Sequence, residues 1–384
     1  MLWHNHKTAH KIFTYGIVLS LFTLPFGGQL SNIIFAITSI YWIWYSITHK
    51  ALIFHTLTIV FLLKFISLCI GLLYSKNLSS GLFIIEKYIL ILIVPLAYSN
   101  INKLTTKNKQ IALFSFCISC FLLTSFFIIR GLLFPNQYLF YHKLTIDIIH
   151  PVYLGIYIIT SFYISITYIN RSKLKHLKIF HILNIVIAPI SLFVLQARTP
   201  LIILFITLPI FLALVNWRYI FLFILLSIGS IIIITNSSLL IKSKLRYTRF
   251  AKSAIEQRVG IWNSSLSVIK DNYFLGVGTG DFQDELNQAY ISDGFKKLAE
   301  RNLNPHNQYI LDLLRNGILG FTSTLLILFV FFYFSFSLKD PLLFVFSISI
   351  LIIFVTEAFL EAQRGILFLL SIGSLLINSN NKDS

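Results

Sequence analysis

Four short polar segments interrupt the apolar runs of this sequence, and each carries side chains that can bind an anion or move a proton. They lie around His150, Arg198, His306 and the stretch from Glu357 to Arg364. Arginine binds phosphate oxygens through charge-assisted hydrogen bonds, often two at once. A neutral histidine can accept a proton. These residue types favour a site that holds a phosphate-bearing anion beside a proton acceptor.

Three of the segments contain a proline directly before an apolar run, a position typical of a first helical turn. The prolines are Pro151, Pro200 and Pro305, and the expected N-caps are Thr199 and Asn304. His150, Arg198 and His306 are therefore predicted at helix N-termini. Unpaired backbone N–H groups and a positive partial charge make such termini suitable for a pyrophosphate. The same field disfavours an imidazolium, which helps to keep His306 neutral.

Each of these residues also has an ordinary interpretation. Arg198 can be an interfacial arginine whose head group reaches for water, and His150 can be a plain loop residue. Glu357 can be a polar anchor between helices, although an acidic residue at that depth is a functional candidate by default.

A second group of candidates lies in one long polar stretch, residues 236–306. Arg258 and Trp262 share a helical face, which suits either sugar–phosphate recognition or a simple cation–π contact. The glycine-rich residues 276–280 lack a GKS or GKT sequence and a strand–helix context, so they predict a tight turn and no nucleotide site.

The elements that must position these residues are membrane-spanning helices. The chain has 384 residues, 57% of them hydrophobic and only 12% charged, with a mean hydropathy of +0.81. Soluble domains carry about 25% charged residues, so the composition excludes a soluble enzyme, a disordered chain and a soluble nucleic-acid binder. We predict an all-α polytopic membrane protein with about 12 spans of roughly 20 residues each.

The expected division is residues 1–235 for spans one to nine, 236–306 for a large loop, and 307–384 for spans ten to twelve with a tail. The spans are predicted at 12–30, 31–48, 52–73, 81–99, 111–133, 151–169, 179–196, 200–215, 217–235, 307–337, 341–360 and 364–378.

Loop charges predict the orientation. The termini and the loops after even spans hold thirteen Lys and Arg residues, against five in the short loops after odd spans. Cytoplasmic loops carry the excess of basic residues, so both termini are predicted to be cytoplasmic. The large loop and the four polar segments would then face outward.

The net charge of +17 is only partly explained by orientation, because the large loop is basic from Lys242 to Arg258. Such a stripe suits either a helix on anionic lipid headgroups or electrostatic capture of an anionic substrate. The three cysteines fall inside apolar runs and predict buried thiols, with no metal site and no disulfide framework.

The loop sequence resembles the O-antigen ligase and O-antigen polymerase superfamily. The matching motifs are Arg258-x-x-x-Trp262, Gly276-x-Gly278-x-Gly280-x-Phe282 and His306-Asn307-x-Tyr309-Ile310-x-x-Leu313-x-x-x-Gly317-x-x-Gly320. The resemblance is dense over about residues 250–320. It extends more loosely to His150-Pro151, to Arg198 and to the cluster at 357–364.

The resemblance implies a bacterial inner-membrane glycosyltransferase with a periplasmic site and no metal, nucleotide or other cofactor. The implied donor is a glycan on undecaprenyl pyrophosphate, and the acceptor is a lipid A-core sugar, a second lipid-linked glycan or a protein hydroxyl. It implies that His306, Arg198 and Arg258 are the essential groups. We further expect substrate binding by Trp262, Asn307, His150, Arg364 and Glu357, with Glu357 or Glu361 as a second base candidate. Direct attack would invert the anomeric centre.

A transporter of an anionic lipid-linked glycan is the alternative from another class. It would share the basic outward residues, but its typical features are repeat symmetry and helices broken at mid-membrane. No internal repeat is visible in the sequence. We expect a ligase that transfers the glycan to a lipid A-core sugar, with a polymerase that joins lipid-linked repeat units as the alternative; no motif in the sequence separates the two.

Overall fold

The computed structural model of the chain describes residues 6–50, 55–98, 104–134, 145, 148–218 and 239–379, and over these residues it is helical with no strand. The helices are α1 (His6–Thr23), α2 (Gly28–Thr48), α3 (Thr56–Leu73), α4 (Leu78–Tyr88), α5 (Leu90–Tyr98), α6 (Thr106–Leu133), α7 (Pro151–Ile169), α8 (Lys175–Leu195), α9 (Arg198–Val215), α10 (Leu239–Asn272), α11 (Phe282–Ser292), α12 (Lys296–Glu300), α13 (Gln308–Ser337), α14 (Pro341–Thr356) and α15 (Gln363–Ser379). Short 3₁₀ turns cover Leu24–Phe26 and Phe359–Glu361.

The helices are long and apolar enough to cross a membrane. Within the described ranges, nine segments of 18 or more residues qualify, and two shorter apolar helices cover Pro341–Thr356 and Gln363–Asn378. These segments confirm the prediction of an all-α polytopic membrane protein. The predicted ninth span, 217–235, falls mostly outside the described residues, so the total of about 12 spans stays a prediction.

The stretch 239–306 contacts the end of the bundle where α3 ends and α4 begins, and we call this the loop end. The helices that carry the candidate residues pack closely in three pairs: α3 against α13, α13 against α14, and α9 against α14. Tyr153 in the first turn of α7 donates to the Phe359 carbonyl at 3.4 Å, and Gly155 packs on Pro200 in the first turn of α9. The starts of α7 and α9 therefore lie at the same end of the bundle as the residues that follow α14.

Helix starts at the loop end differ in part from the expectation. Pro151 is the first residue of α7 with His150 as its N-cap, as predicted. In α9 the N-cap is Ala197, so Thr199 lies inside the helix. The prediction of Asn304 as a cap is also wrong, because Asn307 caps α13 by accepting a hydrogen bond from Ile310 N at 3.0 Å.

Two predicted spans are interrupted. The span predicted at 81–99 is built from α4 and α5, which break at Ile89. Helix α13 is kinked at Asn316 and Gly317, where the backbone leaves helical geometry. A kink exposes backbone carbonyls that an apolar environment cannot satisfy.

The glycine-rich turn donates hydrogen bonds to the backbone carbonyls at that kink. Val277 N donates to Leu314 O at 2.9 Å, and Gly278 N donates to Arg315 O at 3.0 Å. Gly276 and Gly278 have φ of +74° and +107°, so this is the tight turn that the glycines predict. The turn therefore fixes the 239–306 stretch to the core of the bundle.

Asp281 attaches the 239–306 stretch to a second part of the bundle, the connection between α3 and α4. Its carboxylate accepts hydrogen bonds from the backbone N–H groups of Lys76 and Asn77, both at 2.7 Å, between α3 and α4. Helix α10 precedes this region, and the side chains of its residues 239–255 lie outside the described part of the chain. The basic stripe from Lys242 onwards therefore stays a prediction.

Candidate functional site

Three of the predicted site residues meet at the loop end. The Nδ1 atom of His306 lies 3.3 Å from Oε2 of Glu357, and Nη2 of Arg258 lies 3.7 Å from Oε1 of the same carboxylate. The His306 and Arg258 side chains are each 37% exposed, whereas Glu357 is 12% exposed. Glu357 is thus a mostly buried carboxylate between two accessible groups.

His306 is held in its position by its own loop. Its φ is +47°, an uncommon backbone conformation for a non-glycine residue. Its backbone N–H donates to Asn304 Oδ1 at 2.9 Å, and the Trp262 indole N–H donates to the Pro305 carbonyl at 2.9 Å. Trp262 therefore supports the histidine turn through its nitrogen; its expected contact with substrate stays a prediction.

Glu357 is held by the residues that follow it. It ends α14, with its N–H donating to Ile353 O at 2.8 Å. The 3₁₀ turn Phe359–Glu361 comes next, and Leu360 N donates to the side-chain oxygen of Gln308 at 2.8 Å. The segment that carries Glu357 is therefore attached to the helix that follows His306.

The pairing of His306 with Glu357 assigns different roles to the two ring nitrogens. A carboxylate only accepts hydrogen bonds, so the contact at Nδ1 requires the proton on that nitrogen. In the neutral ring Nε2 is then the acceptor. This is the tautomer that a general base needs when its Nε2 faces an attacking hydroxyl.

Arg198 and His150 begin two neighbouring helices at the same end. Arg198 is the exposed first residue of α9, and His150 caps α7 by accepting from Val152 N at 3.4 Å. The two helices are in close contact there, because a Cβ built on Gly155 would lie 2.3 Å from Cγ of Pro200. Arg198 and His150 thus stand at helix N-termini, as the sequence predicts.

Arg364 and Asn307 have different surroundings. The Arg364 guanidinium packs on the backbone of Gly27, where a built Cβ would lie 3.0 Å from Nε. The Arg364 carbonyl accepts from the Tyr157 hydroxyl at 2.9 Å. The Asn307 oxygen serves as the cap of α13, so a role of either residue in substrate binding stays a prediction.

A network beside the site joins Glu361 to three residues that sequence reasoning did not select, Arg315, Lys87 and Tyr88. The Glu361 carboxylate pairs with Arg315 at 2.8 Å and Lys87 at 3.1 Å, and it accepts from the Tyr88 hydroxyl at 2.7 Å. Burial raises the pKa of Glu361, but the Arg315 and Lys87 cations outweigh burial and hold the pKa well below its usual range. Glu361 is therefore an anion committed to this network, which argues against its use as a second base.

A second buried pair ties α3 to α13. Lys64 Nζ lies 2.5 Å from Asp312 Oδ1, and both side chains are fully buried. Thr324 donates to the other oxygen of Asp312 at 2.6 Å. Charged residues inside apolar spans are themselves a functional signal, and this signal would have selected Lys64, Asp312 and Arg315.

The prediction of buried thiols is confirmed for two of the three cysteines and is wrong for Cys69. Cys117 and Cys120 are buried, Cys69 is half-buried, and all three are free thiols. Over the ranges that the structure describes, no three His, Cys, Asp or Glu side chains are grouped so that they could hold a metal ion.

Fold and site together define a polytopic membrane protein with a cation-rich, histidine-containing site at one end of the bundle. The family model described as O-antigen ligase matches residues 183–325, from α8 through the first half of α13. The match supports the O-antigen ligase superfamily over this part of the chain. The match indicates an activity of the ligase or polymerase type in general. No curated protein matches the chain.

Proposed function

We propose that the protein transfers a glycan from undecaprenyl pyrophosphate to a hydroxyl group of a lipid A-core sugar, on the periplasmic side of the bacterial inner membrane. The observation that carries the proposal is the junction of His306, Glu357 and Arg258 at the loop end. The family match supports the reaction class. In this proposal both termini are cytoplasmic and residues 236–306 form the periplasmic loop.

Arg258 and Arg198 bind the pyrophosphate in the proposed complex. The Nη2 atom of Arg258 approaches Glu357 at 3.7 Å, which is longer than a hydrogen bond. The guanidinium is thus oriented by the carboxylate without being fully engaged by it. Stabilising the charge that develops on the leaving oxygen lowers the barrier most effectively when the donors are already in place. The N-termini of α7 and α9 add a favourable field.

His306 and Glu357 activate the acceptor. The acceptor hydroxyl attacks the anomeric carbon, a new C–O bond forms, and the bond from that carbon to the pyrophosphate oxygen breaks. The hydroxyl proton passes to Nε2 of His306, and undecaprenyl pyrophosphate leaves as the anion. Glu357 keeps the ring in the required tautomer and stabilises the imidazolium that forms. A single displacement inverts the anomeric configuration.

The surface polysaccharide of a deletion strain tests this function. Loss of a ligase leaves long chains on the lipid carrier and none on the lipid A core. Loss of a polymerase leaves the core with at most one repeat unit. Loss of a transporter leaves lipid-linked glycan on the cytoplasmic side. The proposal predicts the first result, and either of the others contradicts it.

A further inference from the structure

Gln308 connects the two halves of the proposed catalytic pair. It lies two residues after His306, and its buried side chain makes two hydrogen bonds. Its oxygen accepts from Leu360 N at 2.8 Å, and its nitrogen donates to Asp312 Oδ2 at 3.0 Å. Leu360 lies three residues after Glu357 on the segment that carries this carboxylate.

The orientation of the Gln308 amide is fixed by its partners. An amide nitrogen only donates and a carboxylate only accepts, so the NH₂ group faces Asp312 and the oxygen faces Leu360. Asp312 is itself held by Lys64 at 2.5 Å and by Thr324 at 2.6 Å. The amide therefore stands on a rigid buried support that joins α3 to α13.

The Leu360 N–H group loses a buried hydrogen bond if the Gln308 side-chain oxygen is removed. Leu360 is fully buried, and a buried N–H group without a partner costs about 1–3 kcal/mol. Removal of the amide would release the 358–361 turn to seek another acceptor. Glu357 would move with the turn, and its hydrogen bond to His306, already 3.3 Å long, would be lost first.

We infer that Gln308 is a positioning residue that holds Glu357 against Nδ1 of His306 and so maintains the catalytic tautomer. The inference rests on the proposed function for its effect on transfer. The placement of the imidazole proton can be measured without any reaction.

The experiment uses the full-length protein in lipid nanodiscs, labelled with ¹⁵N-histidine. Gln308→Met keeps an unbranched side chain of similar size and removes both amide hydrogen bonds. Gln308→Asn keeps an amide that is one methylene too short to join Asp312 and Leu360. The His306 resonances are assigned by difference against His306→Gln. Glu357→Gln supplies the reference for a lost carboxylate.

Asn184→Leu is the matched control. Asn184 is a buried amide in α8 that donates to Ser161 and Ser165 at 2.8 Å, away from the 357–361 segment. Its loss should lower the thermal midpoint as the Gln308 variants do. It should leave the His306 resonances and kcat unchanged.

The expected result is that both Gln308 variants shift the His306 Nδ1 resonance from the protonated toward the unprotonated form, in the direction set by Glu357→Gln. We expect kcat to fall by up to about 100-fold, the loss that a misplacement of about 1 Å can cause, with KM nearly unchanged. In the Glu357→Gln background, Gln308→Met should change kcat by less than about two-fold, because the coupled interaction is already gone.

The opposite results separate the two claims. An unchanged His306 resonance in the Gln308 variants, or the same shift in Asn184→Leu, overturns the inference and leaves the proposed function intact. A shifted resonance in the Gln308 variants, together with no glycan transfer by the wild-type protein, supports the positioning role and overturns the proposed function.

Discussion

At the residue scale, one carboxylate serves two partners. Glu357 orients the His306 ring through one oxygen and approaches the Arg258 guanidinium with the other. The histidine and the arginine therefore have fixed positions relative to each other before substrate binds. Such preorganisation is what makes electrostatic catalysis effective.

Glu357→Gln tests this role. The amide keeps the size of the side chain but removes the charge that stabilises an imidazolium. We expect kcat to fall on the order of 100-fold, within the usual contribution of acid–base catalysis, with KM for the donor nearly unchanged. Steady-state transfer by purified protein measures both constants. A loss confined to KM would show that Glu357 acts in donor binding alone.

Arg258→Lys separates charge from geometry. Lysine keeps the positive charge but lacks the planar fork that binds phosphate through two hydrogen bonds. A lost charged hydrogen bond is worth about 1.5–3 kcal/mol, so transfer should fall about 10- to 100-fold. Arg301→Lys, an exposed change in the same stretch, is the control and should retain full activity. Equal activity of the two variants would exclude a bidentate contact by Arg258.

Polar segments between successive spans alternate between the two sides of the membrane. The sequence therefore predicts His306, Arg258 and Glu357 at the same end of the bundle. It could not show that they touch. It also did not select Gln308, whose amide sits in a stretch that reads as the start of an apolar span. The contact to Leu360 joins residues far apart in the chain, and no local pattern indicates it.

At the element scale, the kink of α13 and the glycine turn form one unit. The kink exposes carbonyls, and the turn from Gly276 to Gly278 supplies the donors that satisfy them. Gly317 lies at the kink with φ of +57°, and a Cβ there would lie 2.1 Å from the Phe274 carbonyl oxygen. The unit therefore fixes the 239–306 stretch, which ends at His306, against α13.

Gly317→Ala should disrupt the packing of the glycine turn against the kink of α13. Overpacking costs about 1–3 kcal/mol, so the thermal midpoint in detergent should fall by several degrees below that of the control. Gly294→Ala is the control, because Gly294 also has a positive φ, of +82°, but has open space around it. Equal midpoints for the two variants would contradict a clash at the kink.

Local signals predicted the elements better than their interruptions. Pro151 marked the start of α7 correctly, because proline directly followed a capping residue. The same reasoning failed at Pro305. There Asn304 bonds to His306 N, and the helix begins only after Asn307. The break at Ile89 and the kink at Gly317 depend on packing against other helices, which periodicity in an apolar run does not reveal.

At the scale of the whole molecule, composition alone was enough to predict a polytopic membrane protein.

The predicted orientation in the membrane rests on the distribution of Lys and Arg between loops. It can be tested with single cysteines in a background whose native cysteines are replaced by alanine. Asn302→Cys lies in the 239–306 stretch and Lys173→Cys between α7 and α8, and both positions are exposed. A membrane-impermeant maleimide applied to spheroplasts should label position 302 and leave position 173 unlabelled. The reverse pattern would place the site in the cytoplasm.

The most direct test of the proposed function, with His306 as the base, is glycan transfer by the purified protein in lipid nanodiscs, without a membrane gradient. The wild type is compared with His306→Ala, with undecaprenyl pyrophosphate-linked glycan as donor and lipid A-core as acceptor. We predict that the wild type forms the glycan–core product and releases undecaprenyl pyrophosphate. His306→Ala should fold with an unchanged thermal midpoint and form no product above background. Full activity of His306→Ala would contradict the account.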